Sequence, residues 1–228
     1  MNTVHYLRDN PAFFRAGYTV MASATNLSTG YPMLDRLLPG GGWPTAAVTE
    51  ILSRDGKIDP LSLLLPAFAA LSWEPRWLVW VAPPQVPIVA DLAAQGLDTS
   101  RVLVIHERPD KMPLELAVKA LAAGTCAAVL VWLEAADPYQ IGQLQLAAKR
   151  GNSTGFVFRP ATVMAQPSPA ELRVYATTHS CRLGVEILQC KGGPGTVLHL
   201  GQTAEKPLLR RRDQRLRHSR SLVGELLQ

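Results

Sequence analysis

The sequence predicts an α/β fold: a mostly parallel sheet flanked by helices on both faces, finishing with antiparallel strands. Three observations predict it. Between residues 46 and 158, short apolar runs alternate with helical stretches of about 10–12 residues, the pattern of parallel strands joined by crossover helices. The runs are continuously apolar instead of alternating with polar residues, so each is expected to be covered on both sides. After Pro160 the strand-like segments follow one another directly, and Gly192-Gly193 separates the last two as in a hairpin.

The elements follow in order. Residues 1–26 are mixed; Asn10-Pro11 starts a short helix through Phe13 and Phe14, and Ala22 to Asn26 reads as linker. Leu34, Leu37 and Leu38 lie at helical spacing in Tyr31–Leu38, which Pro39 and Gly40-Gly41-Gly42 terminate. Ala46–Leu52 is a buried strand and Leu61–Leu71 an apolar helix, with Pro60 in its first turn, where a missing N–H costs little. Trp77–Ala82 is a strand, Pro87–Gly96 a helix closed by glycine, and Arg101–Ile105 a strand. Leu114–Ala123 is a helix with Gly124 at its end, Ala127–Leu133 a strand of seven apolar residues, Tyr139–Arg150 a helix ended by Gly151, and Thr154–Phe158 a strand. Leu172–Thr177, Leu183–Lys191 and Thr196–Leu200 complete the sheet. The chain divides into an N-terminal segment, 1–26, an α/β domain, 27–202, and a basic amphipathic tail, 203–228.

Composition bounds the function. With 228 residues, 47% of them hydrophobic and 18% charged, the chain can bury a full core. A formal charge of +5 is mildly basic and names no partner by itself. Arg, Glu, Asp or Pro interrupts every apolar run before membrane-span length, and Arg8, Asp9 and Asn10 stand where a secretory signal needs apolar residues, so a cytoplasmic protein is expected. Three cysteines, Cys126, Cys181 and Cys190, are too few and too oddly spaced for a disulfide framework.

A phosphate-binding loop needs G-x-x-x-x-G-K-[ST] after a strand, so that backbone amides and a lysine cradle the phosphates and a hydroxyl holds magnesium. Here the strand runs into Ser53-Arg54-Asp55-Gly56-Lys57-Ile58-Asp59-Pro60. Gly56-Lys57 matches the second half, but the first glycine falls at Ile51 and the hydroxyl at Ile58. Asp55 and Asp59 repel phosphate, and Pro60 removes an amide donor at the helix start. Strand 127–133 carries Trp132, expected buried, in place of the acid that orients the metal; Glu134 is a poor substitute. Pro83-Pro84-Gln85 offers no carboxylate to activate water. Three missing parts together predict no enzyme and no cofactor. His179, Cys181 and Cys190 lack zinc-ligand spacing, no G-x-S-x-G elbow occurs, and His106 has no evident partner, so neither a metal nor a catalytic residue is assigned.

Leu27-Ser28-Thr29-Gly30, Leu34-Asp35, the PGGGW run Pro39 to Trp43, Pro44 and Thr49-Glu50-Ile51-Leu52 resemble the opening of the RecA core, which implies a RecA-like fold with a degenerate nucleotide site. With Leu61 to Pro66, Trp80 to Pro84, Val129 to Leu133, Leu144 to Ala148 and Gly155 to Pro160 added, the chain resembles the ImuA family. That resemblance implies a non-catalytic adaptor of damage-induced translesion synthesis in the SOS response, a mutagenic form of DNA repair. Its partners would be RecA, ImuB and the error-prone polymerase. The tryptophan of the fourth strand and the G-F-x-x-R-P run Gly155 to Pro160 are also similar to the SulA family, which implies the alternative: an SOS inhibitor of cell division that binds the tubulin-like protein FtsZ. The SulA likeness covers mainly residues 65 to 165 and leaves the PGGGW front and the tail unexplained, so ImuA ranks first.

In the tail, Leu209, Leu216 and Val223 recur every seventh residue and would line one side of a helix. Arg210, Arg211, Arg212, Arg215, Arg217 and Arg220 occupy the other faces. These residues are the candidate partner-binding segment. The tail holds no aromatic residue to stack on bases, so any DNA contact through it would be nonspecific and salt-sensitive. The apolar stripe suits a protein groove better.

Overall fold

A two-residue strand from the amino-terminal segment, β1 (His5–Tyr6), forms one margin of the sheet and pairs in parallel with β4 (Val102–Ile105). Nothing in the local sequence predicts it, since two residues carry no periodicity. The computed structural model describes residues 5–6, 26–54, 60–85, 88–106, 112–179, 182–190 and 197–200. Phe13, Phe14 and residues 55–59 and 201–228 lie outside the described residues.

The other elements are α1 (Pro32–Leu37), β2 (Val48–Ser53), α2 (Pro60–Leu71), β3 (Trp77–Val81), α3 (Val89–Ala94), α4 (Pro113–Ala122), β5 (Cys126–Trp132), α5 (Pro138–Gly151), β6 (Thr154–Pro160), β7 (Leu172–His179), β8 (Arg182–Cys190) and β9 (Val197–Leu200). Among the described residues they build one nine-stranded sheet in the order β1-β4-β3-β5-β6-β2-β7-β8-β9. The first seven strands in that order are parallel, and only the β7–β8 and β8–β9 pairings are antiparallel. The change of direction therefore comes one strand later than the start of the strand-rich region: β7 runs parallel to β2, with Glu50 opposite Arg173.

Both faces of the sheet are covered, which is why the strands read as unbroken apolar runs. Leu78 and Trp80 of β3 enter one core with Leu63, Leu64 and Phe68 of α2 and Leu92 of α3. Val79 and Val81 enter the opposite core with Ala117 and Leu121 of α4 and Ile141 and Leu144 of α5. Successive residues thus feed opposite cores, the period-two rule of a strand. Phe156 of β6 meets both Trp43 and Phe68 edge to face, with centroids 5.8 and 5.5 Å apart.

The glycine-rich front is packing architecture. Trp43 is wholly buried, and Leu27 and Trp43 exchange backbone hydrogen bonds of 2.9 and 2.7 Å. A Cβ on Gly42 would sit 2.3 Å from the Leu27 carbonyl oxygen, so this approach excludes any side chain. Leu34 and Leu38 are buried, whereas Leu37, expected on the same apolar face, is exposed.

Candidate functional site

The carboxyl ends of β4, β3, β5, β6, β2 and β7 lie along one margin of the sheet, where open α/β folds place their binding crevices. β2 brings the expected phosphate loop to this margin. Ile51, the position required for the first glycine, is inside the strand, opposite Phe158 and Val174, and only 1% exposed. Ser53 is the last residue of β2, paired with Pro160 and Ala176; Arg54 is exposed. Asp55, Gly56, Lys57, Ile58 and Asp59 lie outside the described residues, as do the tail positions Leu209 to Val223.

Trp132 ends β5, but it is half-buried instead of buried. Its ring stacks on Phe158, its partner in the sheet register, with centroids 4.6 Å apart and planes 24° from parallel. The ring packs against the first core and keeps part of its surface exposed. Glu134 and His106 are exposed. Among the described residues no group of three His, Cys, Asp or Glu side chains could hold a metal. Burial pushes the Cys126 thiol up to about 12, so it stays protonated and unreactive.

The feature that sequence reasoning missed is a buried charge cluster on the second-core face of β2. Glu50 is fully buried. Its Oε1 accepts from Arg159 Nη1 at 2.7 Å, and its Oε2 lies 2.7 Å from Arg173 Nε. Arg159 Nη2 also donates to the Ala136 carbonyl oxygen and, at 3.3 Å, to Gln166 Oε1. Arg173 donates to the carbonyl oxygens of Gln166 at 2.9 Å and Val163 at 3.2 Å. One carboxylate thereby holds two guanidiniums, which fasten the β5–α5 connection and the β6–β7 connection to the centre of the sheet. The cluster is sealed from solvent, so its role is to fix backbone rather than to meet a substrate. The signal available in the sequence was an acid inside an apolar strand together with Arg159 of the G-F-x-x-R-P run.

Next to one point held by this frame lies exposed apolar surface. Beside Ala136, the Asp137 carboxylate accepts from Gln140 N at 2.7 Å while Gln140 Oε1 accepts from Asp137 N at 2.9 Å, a capping box that sets the first turn of α5. That turn carries Tyr139, 75% exposed. Ile88 and Met112 immediately precede α3 and α4 and are 65% and 66% exposed. All three residues follow the carboxyl ends of adjacent strands β3, β4 and β5. Between β3 and Ile88, Ala82 adopts φ +51°, a left-handed conformation that costs a non-glycine residue about 1–2 kcal/mol. Exposed aromatic and aliphatic side chains gathered along one margin are surface that a protein contact can use. Among the described residues no helix is long and apolar enough to cross a membrane.

Comparison with known proteins gives this surface its context. The family model described as cell division inhibitor SulA matches residues 46–155. The cell division inhibitor SulA of Photorhabdus laumondii is 33% identical over 111 residues, 49% of this chain and 63% of that protein. That of Yersinia enterocolitica is 30% identical over 134 residues, 58% of this chain and 80% of the relative. The crystal structure of SulA from Pseudomonas aeruginosa has 31% sequence identity, covers 49% of this chain and 97% of that one, and superposes with a TM-score of 0.42. The family match and the two relatives overturn the ImuA resemblance. The expected role in translesion synthesis and mutagenesis, and RecA, ImuB and the error-prone polymerase as partners, fall with it. The physical reason is visible at the front end: the PGGGW run that favoured ImuA is tight packing of Trp43 and Gly42 on Leu27, a demand of the fold that carries no partner information. The matched relatives are inhibitors, and this protein is not an enzyme. With a relative 30% identical and covered over 80% of its length, the chain belongs to the SulA family.

Proposed function

We propose that this protein is an SOS-response inhibitor of cell division that acts in the cytoplasm by binding FtsZ stoichiometrically, without chemistry. The observation that carries the reading is the 30% identity over 80% of a relative named as a cell division inhibitor. The contact surface is the carboxyl margin of the sheet, with Tyr139, Ile88 and Met112 as anchors, because all three are exposed apolar side chains there and the turn that carries Tyr139 is braced by the Arg159–Ala136 hydrogen bond and the capping box. The basic segment with Leu209, Arg210, Arg211, Arg212, Arg215, Leu216, Arg217, Arg220 and Val223 adds electrostatic attraction to the same target. The domain division at residues 27 and 202 and the RecA-like character of the core, with a phosphate loop emptied of function, belong to this proposal. Ile51, whose side chain fills core where a nucleotide loop needs a glycine, supports the loss of phosphate binding.

The test is FtsZ assembly. Full-length protein added to FtsZ and GTP is expected to lower the sedimented polymer in proportion to the inhibitor added. Tyr139→Ala is expected to weaken binding by about 1–2 kcal/mol, about five- to thirtyfold, as for an aromatic anchor. Polymer mass that stays constant at a molar excess of the protein would refute the function. Inhibition that Tyr139→Ala and Ile88→Asp leave intact would refute only the surface.

A further inference from the structure

On the face opposite α2 and α3, α4 and α5 leave between them a groove of about 450 Å³ that no described element of the chain fills. Leu114, Val118 and Ala122 lie four residues apart on α4, forming one ridge along its outer side. They are only half-buried, because Ala117, Ala120 and Leu121 are the residues that α4 turns into the core. Across the groove α5 presents Leu146, 70% exposed. An aliphatic ridge facing an exposed leucine is the geometry that receives the apolar stripe of an amphipathic helix.

The charges on the margins select the occupant. Lys119 and Arg150 stand in the last turns of α4 and α5, both exposed, and Glu115 in the first turn of α4 is the acid of the lining. The two helices run in the same direction, since each leads from the carboxyl end of one parallel strand to the amino end of the next. Their negative dipole ends and their cations therefore lie at the same end of the groove. A helix entering antiparallel to both would bring its own N-terminal turn there, and carboxylates in that turn would meet Lys119 and Arg150 while also capping their own helix dipole. A second copy of this chain would bring four cations and two carboxylates into one seam, an excess of positive charge, and the arginine-rich C-terminal segment would bring like charge to like.

We infer that the α4–α5 groove is a docking site for a partner's amphipathic helix with an apolar stripe and an acidic first turn. It is separate from the carboxyl-margin contact and does not depend on the identity of the target there. The probe is a fluorescein-labelled synthetic helical peptide with leucines at helical spacing and glutamates in its first turn, compared by fluorescence polarisation with the same peptide carrying lysines there. The full-length chain is expected to bind the acidic peptide saturably and the lysine peptide at least about tenfold more weakly. Leu146→Asp, at an exposed position that should spare the fold, is expected to weaken binding by a similar factor. Lys119→Glu combined with Arg150→Glu should reverse the preference, a result that simple loss of folding cannot produce. Equal binding of both peptides, or indifference to both Leu146→Asp and the charge reversal, would overturn the inference. So would a dimer in sedimentation analysis that Leu146→Asp dissolves, which would make a second copy the occupant. Displacement of the acidic peptide by a peptide of residues 208–228 would assign the groove to the chain's own tail and would overturn it equally.

Discussion

Glu50 concentrates more of the design than any other single residue. A carboxylate fully removed from water is tolerated only when paired, and here both oxygens face guanidiniums at 2.7 Å. Glu50→Ala leaves two buried cations without their counter-charge, and the loss is expected to be about 3–5 kcal/mol, read as a lower urea midpoint with an unchanged slope. A loss below about 1 kcal/mol would mean that the arginines are held by the carbonyl oxygens alone. Replacing all three charges with apolar residues of similar volume is expected to cost less than the single change, because no orphan charge remains. Cys126 gives a pH signature at the same scale. Below about pH 8.5, the ordinary range for a thiol, folded and unfolded chains both hold its proton and it adds no pH dependence. Above that the unfolded chain releases the proton while the folded one keeps it up to about 12, so stability falls as pH rises through this window. In a Cys181→Ser, Cys190→Ser background, a thiol reagent at pH 8 is expected to leave the native protein unlabelled and to label it in denaturant. Rapid labelling of the native protein would show that Cys126 is accessible.

At the scale of elements, two glycines of α5 separate packing from propensity. Alanine in place of a mid-helix glycine ordinarily gains about 0.5–1 kcal/mol. At Gly142 the added Cβ would meet only Pro169 Cγ at 3.7 Å, an ordinary contact, so Gly142→Ala should raise the thermal midpoint. At Gly151 it would lie 1.8 Å from the Leu121 carbonyl oxygen of α4, and backbone must move. Gly151→Ala is therefore expected to destabilise by about 1–3 kcal/mol despite its better propensity. A rise in the midpoint for Gly151→Ala would show that the α4–α5 approach relaxes easily. The same residue shows what the sequence could tell. Gly151 reads as a helix terminator, but it is the last helical residue, and Asn152, at φ +48°, makes the left-handed cap. The succession of strands and helices was legible because long apolar strands and glycine stops are local signals. The charge cluster was not, since Arg159 lies 109 residues from Glu50 and only the closed sheet brings them together. Nor was the exposure of Tyr139, Ile88 and Met112, which local hydrophobicity reads as core. Trp132 was placed on the correct strand, but its partial exposure goes with its being the last strand residue, stacked on Phe158 at the edge of the first core.

Across the whole molecule, the sheet separates three surfaces: the face under α2 and α3, the face under α4 and α5, and the carboxyl margin with its exposed apolar anchors. Family membership was half-legible. The G-F-x-x-R-P run pointed toward SulA, yet the glycine-rich front, which is packing, outweighed it, and the match to named SulA relatives corrected the order. The final prediction concerns the basic segment that follows β9. Deleting residues 208–228 should leave the circular dichroism spectrum and the thermal midpoint unchanged, because helices packed into the two cores already cover both faces of the sheet. The deletion also removes six arginines, opposed there only by Asp213 and Glu225. If this charge draws the protein to FtsZ, the deletion should slow association and weaken binding most at low salt, where attraction extends furthest. At high salt full-length and truncated proteins should converge if, as proposed, the remaining affinity comes from Tyr139, Ile88 and Met112. A truncated protein that unfolds would make the segment part of the core. One that binds like the full chain at every salt concentration would leave the carboxyl margin as the whole of the interface.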